Sequence, residues 1–161
     1  MATSEQSAPT APRRILVAVR AEGDDGAVVR YAAELARSLG AELILVAIAP
    51  VVPVLTTSQY PFDPFSPAAE VDRQELADRL AREGLDELVA TLEAALPKES
   101  VLTWGPVGLA TVEAAREHAA DLVVVGMRAR DHELGHMLHD HADRYVLHHC
   151  HVPVLVVPTT S

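Results

Sequence analysis

Five short runs of this chain are almost wholly apolar, and the stretches between them are amphipathic or loop-like. The runs are ILVAV at 15–19, LILVAI at 43–48, VLTW at 101–104, DLVVVG at 121–126 and VPVLVV at 152–157. A strand with one wet face alternates polar and apolar residues. A strand that is apolar throughout is covered on both faces, as in a parallel sheet sandwiched by helices. Helical patterns fill the gaps. After Asp24 or Asp25, either of which would cap a helix, Val28, Ala32, Leu35, Ala36 and Leu39 recur on one face until Gly40 closes the segment. Ser66-Pro67 reads as an N-cap followed by proline at the first helical position, and that helix is expected to run to about residue 95. Its apolar face is Leu85, Leu88, Val89 and Leu92, with Gly84 as a weak point. Val112, Ala115 and Ala119 mark a third helix, and another helical run precedes the last strand. Strict alternation of strand and helix predicts a single-domain α/β fold, an open parallel sheet with right-handed crossovers. The turn leaving Gly126 then lies at the carboxyl end of a central strand, where such folds place ligands.

The chain has 161 residues, enough for one domain with a sizeable core. Residues 1–12 are polar and small and are expected to form a disordered tail, with the domain spanning 13–158. The single cysteine, Cys150, cannot close an internal bridge, and neither a signal peptide nor a membrane span is apparent. A reducing, cytoplasmic compartment is expected. A formal charge of −10 argues against nucleic acid and anionic membranes as partners. Seven of the eight histidines lie between His132 and His151, and protonating all eight would bring −10 to −2. The loop at 50–66 holds Tyr60, Phe62 and Phe65, three of six aromatics, and reads as a lid, a docking surface or a mobile segment.

Several catalytic patterns are absent. The glycines never form GxGxxG or the glycine-lysine loop of P-loop proteins, and GxSxG does not occur. His132-Glu133-Leu134-Gly135-His136 does match HExxH, two imidazoles one helical turn apart with a glutamate as base. The third zinc ligand fails. Where the longer protease motif needs glycine and histidine the chain has His139 and Ala142, and no glutamate follows Glu133. An amphipathic turn, with Leu134, Met137 and Leu138 on one side and His132, His136 and His139 on the other, accounts for the same residues. Zinc on those three histidines is the alternative. His148, His149, Cys150 and His151 offer a soft-metal or redox site, or a helix end where imidazole complements the dipole.

RILVAV at the start of the domain, ELARSLGAEL at the end of the first helix, GPVGLATVEAAREHAADLVVVG and the terminal VPVLVVP occur in an order that resembles the universal stress proteins across most of residues 13–158. The resemblance implies a five-stranded parallel sheet of order 3-2-1-4-5, like that of the adenine-nucleotide alpha-hydrolases, and a stress-response role without enzymatic activity. It also implies a homodimer joined through the last strand, here Val152, Val154, Leu155 and Val156. A protein partner is a further expectation. Many such proteins bind ATP at the carboxyl ends of the first and fourth strands. Transferred to this chain, that crevice comprises Arg20, Ile48, Gly126, Arg128, Ala129, Arg130, Asp140 and His141. The family's ATP motif is Gly, two residues, Gly, nine residues, then Gly and Ser or Thr, with Asp ending the first strand. Gly126 matches. The second glycine falls on Ala129, the final pair on His139-Asp140 or, with one insertion, on Asp140-His141, and the first-strand Asp on Arg20.

Glycine lets backbone amides approach phosphate, and a hydroxyl at the helix start donates to it. Asp140 would cap the helix but repel phosphate, and Glu22, Asp24 and Asp25 add negative charge across the crevice. Arg20, Arg128 and Arg130 would hold some other anion or pair with nearby carboxylates. No cofactor is therefore expected. ATP held through non-standard contacts is the alternative, as is a dimer whose seam responds to pH through its histidines.

Overall fold

The computed structural model describes residues 11–21, 25–51, 67–90, 92, 99–128 and 142–159, with the backbone alone for 67–72, 128 and 143. The expected tail at 1–10, the aromatic loop and the HExxH segment lie outside the described residues. Within them, strand and helix alternate: β1 (Arg14–Arg20), α1 (Gly26–Leu39), β2 (Glu42–Ala49), α2 (Pro67–Ala90), β3 (Glu99–Trp104), α3 (Val107–Glu117), β4 (Leu122–Arg128), α4 (Ala142–His149) and β5 (Val154–Thr159). The five strands form one parallel sheet of order β3-β2-β1-β4-β5.

Successive side chains of a strand point to opposite faces, so an unbroken apolar run serves two cores. Ile15, Val17 and Val19 join Leu43, Leu45 and Ala47 under α1 and α2, against Val28, Ala32, Ala36, Ala81 and Leu85. Leu16 and Ala18 join Ile44, Val46 and Ile48 on the other face, under Val112 and Ala115 of α3 and Val146 of α4. Each fully buried Leu, Ile or Val contributes about 1.5–3 kcal/mol by leaving water.

Element ends follow local chemistry. Gly40 ends α1 in the left-handed region at φ 63°, and Ala41 N–H donates to Ala36 O at 2.8 Å, a closed cap. The same motif ends α3 without glycine. Ala119 sits at φ 49° and Ala120 N–H reaches Ala115 O at 3.0 Å, at a conformational cost of about 1–2 kcal/mol. The regular helix α2 stops at Ala90, short of the expected residue 95. Leu92 still packs on the core, its N–H bonded to Val89 O at 3.1 Å. The last strand begins two residues later than the expected 152, because Pro153 contributes only its carbonyl, to Val123 N–H at 3.0 Å. Pro158 is accommodated inside β5 because β5 is an edge strand.

The amino-terminal edge of the sheet is laced together by side chains. Asp121 Oδ2 accepts from the amides of Arg13 and Arg14 at 2.9 and 3.0 Å. The Arg14 guanidinium spans Glu42, at 3.2 Å, and the His118 carbonyl, at 2.9 Å, and His118 Nδ1 lies 3.2 Å from Glu99. One cluster thus ties the starts of β1, β2 and β3 to the end of α3 and leaves the opposite, carboxyl edge to the loops.

Candidate functional site

β1 lies between β2 and β4 and its neighbours are reached in opposite directions, so the crossovers part at its carboxyl end. There the sheet opens. The ladder between β1 and β4 stops at Ala18 and Val125, although β1 continues to Arg20 and β4 to Arg128. On the other side β1 stays paired, with Arg20 opposite Ile48, and Ala21 N–H continues to Ile48 O at 3.0 Å. Alternation of backbone direction turns the Arg20 N–H toward β4, into the opening. It is met by a side chain: Asp25 Oδ2 accepts it at 3.0 Å.

Asp25 is the N-cap of α1, and its carbonyl starts the helix by accepting from Val29 N–H at 3.1 Å. An N-cap carboxylate ordinarily accepts an N–H of its own first turn, and Asp25 makes no such bond. Its other oxygen faces β4. A Cβ on Gly126 would lie 3.6 Å from Asp25 Oδ1, 3.6 Å from Thr159 Cγ2 and 2.8 Å from Val28 Cγ2. Thr159 closes the β5 side, its hydroxyl donating to Met127 O at 3.3 Å. From above, α2 reaches the same loop. Gly84 is so close that a Cβ there would sit 2.5 Å from Ala21 O.

Among the described residues, Arg20, Ile48 and Gly126 come together at this edge, as do the backbone and strand end of Arg128. They do so unequally. Ile48 is 1% exposed, its side chain in the α3 core and its carbonyl taken by Ala21 N–H, so it brings the crevice only its strand end. Arg20 is exposed at the mouth. Ala129, Arg130, Asp140 and His141 lie outside the described residues, as do His132, His136 and His139. Among the described residues no group of His, Cys, Asp and Glu could hold a metal ion. Asp25 figured in the sequence only as a helix cap and as one of several negative charges, and Thr159 and Gly84 did not figure at the site at all. Asp25 lies five residues beyond the end of β1, which is the one signal the sequence held for it.

Gly126→Ala tests this packing. Val28 is fully buried and has no room to yield, so the added methyl is expected to destabilise the domain by about 1–3 kcal/mol. The check is a lower urea midpoint at unchanged slope.

Val154, Leu155 and Val156 are half-buried along β5, with Val152 half-buried just before it, and β5 pairs with β4 alone among the described strands. Val154 and Val156 lean on the α3 core, and Leu155 on the α1 core. The outer backbone of β5 is an open edge. Beside it α4 ends in His148 and His149, with His149 stacked on Tyr145 at 4.0 Å between centroids and its Nδ1 2.9 Å from Tyr145 O. Cys150 is a half-buried free thiol. No described helix is long and apolar enough to cross a membrane.

The sequence profile of the universal stress protein family matches residues 12–158. No curated protein matches the chain. Solved structures do. A member of that family from Burkholderia pseudomallei is 24% identical, with a TM-score of 0.64, over 91% of this chain and 96% of its own. UspA from Lactobacillus plantarum is 21% identical, with a TM-score of 0.60, over 89% and 96%. A universal stress protein from Archaeoglobus fulgidus in complex with dAMP is 24% identical, with a TM-score of 0.55, over 91% and 98%. The sheet order and a profile match over residues 12–158 agree, and the chain belongs to the universal stress protein family.

Proposed function

We propose that this chain is a dimeric stress-response module that acts by binding rather than by catalysis, in the cytoplasm, and whose crevice binds ATP weakly or not at all. The observation that carries the reading is the set of residues at the motif positions: after Gly126 come Ala129 and Asp140, and β1 ends in Arg20. Ala129 adds a methyl where a glycine would let backbone amides approach phosphate, and Asp140 brings a negative charge where the motif has glycine or a hydroxyl. Relatives of the same fold crystallised with cAMP and dAMP make a nucleotide the natural ligand to test. The open edge of β5 and its half-buried valines support association through that strand. A lone free cysteine suits a reducing compartment.

Isothermal titration with ATP and magnesium is expected to show no binding, or binding no tighter than the high-micromolar range. A low-micromolar dissociation constant would establish the alternative, a nucleotide switch built on non-standard contacts. Sedimentation of the full chain is expected to show a dimer, and a strictly monomeric species at all concentrations would remove that part of the reading.

A further inference from the structure

We propose that Asp25 is the specificity determinant of the crevice: its carboxylate occupies the gap between β1 and β4, holds the strand-end amide that would otherwise receive a ligand oxygen, and excludes phosphate. The inference rests on the reading of this crevice as an altered nucleotide site.

Three observations converge on this one side chain. The β1–β4 ladder ends at Ala18 and Val125, so the next amide directed at β4, that of Arg20, lies beyond it. A donor in that position suits an incoming oxygen anion, and Asp25 Oδ2 already satisfies it at 3.0 Å. The helix cap has been given up for this. Asp25 caps no N–H of α1, so its orientation follows the crevice and not the requirements of the helix it begins. The second oxygen is directed across the opening, 3.6 Å from where a Gly126 Cβ would stand, so both walls of the gap are within its reach. Gly126 is thus free of a side chain where Asp25 and Val28 crowd in from α1.

The chemical consequence is a selection by charge. A phosphate entering between β1 and β4 would have to displace the carboxylate from the Arg20 amide and then sit beside it, two anions at close range. A ligand that offers N–H or O–H groups meets the opposite situation. Carboxylate lone pairs accept from it without any displacement. The crevice therefore discriminates against phosphorylated ligands and in favour of uncharged ones rich in donors, of which a nucleoside is the simplest probe.

The test separates charge from hydrogen bonding. Asp25→Asn keeps a side-chain oxygen of the same shape for the Arg20 amide and removes the charge, and Asp25→Ser removes the carboxylate while supplying a good N-cap that preserves α1. Wild type and both variants are titrated with ATP and magnesium, with inorganic phosphate and with adenosine, after thermal melting has verified that they are folded. Both variants are expected to bind ATP about tenfold more tightly than wild type or better, a change of the size expected from one like charge at close range in a partly solvated gap. Adenosine affinity should hold or fall. If both folded variants bind ATP no more tightly than wild type, the proposal is overturned. It is equally overturned if adenosine gains as much as ATP, since that would be relief of crowding and not of charge. Tight ATP binding by wild type contradicts the reading of the site as altered, whereas weak wild-type binding that neither variant improves removes the role of Asp25 alone.

Discussion

Leu45→Ala is expected to lower the stability of the domain by about 2–5 kcal/mol, the range for a leucine truncated in a rigid core. Leu45 is fully buried, in β2, between Val17 of β1 and Ser100 of β3 in register. Its side chain belongs to the core beneath α1 and α2. Its neighbours cannot close the space, since the strands on both sides are held by hydrogen bonds and the helices above rest on other residues. For a domain of this size each kcal/mol corresponds to about 2–4 °C, so the melting temperature should fall by roughly 4–20 °C. Calorimetry, or urea unfolding with an unchanged slope, is the check. A loss below 1 kcal/mol would mean that α1 and α2 settle onto the sheet without resistance, contrary to the interlocked packing described above.

The second large effect comes from adding a methyl group to a helix. Gly84→Ala should stabilise an isolated α2 by about 1 kcal/mol through helix propensity. In the protein it is expected to do the reverse. The new Cβ would stand 2.5 Å from the Ala21 carbonyl oxygen, a backbone atom that cannot rotate away, and either α2 or the loop after β1 must move. Ala81 and Leu85, fully or nearly fully buried on the same face of α2, would be lifted with it. Overpacking of this kind costs about 1–3 kcal/mol and occasionally more, so a net destabilisation of up to about 2 kcal/mol is expected after the propensity gain is subtracted. Displacement of Ala21 also carries Arg20 and the Asp25 contact. A more stable Gly84→Ala protein would show that α2 sits farther from the loop than the structure places it.

These two substitutions differ in how far they could be foreseen. Leu45 lies in an unbroken apolar run, and burial on both faces follows from that alone. Gly84 was legible only as a flaw in a helix. Its purpose is a close approach between α2 and a loop more than sixty positions earlier in the chain, and no local pattern encodes a contact at that separation. The ends of elements divide the same way. Gly40 announced the end of α1 through its own conformational freedom. Ala119, which ends α3 in the same left-handed turn, gave no such notice, since alanine has no local preference for that turn and the segment it leads into is fixed by the remote contact of Asp121 with the amides of Arg13 and Arg14.

At the site, Arg20 and Gly126 could be placed from the alternation of strands and the resemblance to the family. Asp25 was legible as a helix cap, and its actual partner was not. A cap residue chooses between its own helix and whatever lies beside it, and that choice depends on an amide left over where two strands part. The sequence by itself determined which runs are strands, that both faces of the sheet are covered, and the family to which the crevice belongs, because periodicity, burial and cap chemistry act within a few residues. Only the tertiary structure decided that β1 and β4 separate after Ala18 and Val125, that Gly84 is a point of contact, and that the carboxylate of Asp25 sits in the gap. Those depend on distances between segments remote in the chain, set by how helices of given side-chain size rest on a twisted sheet.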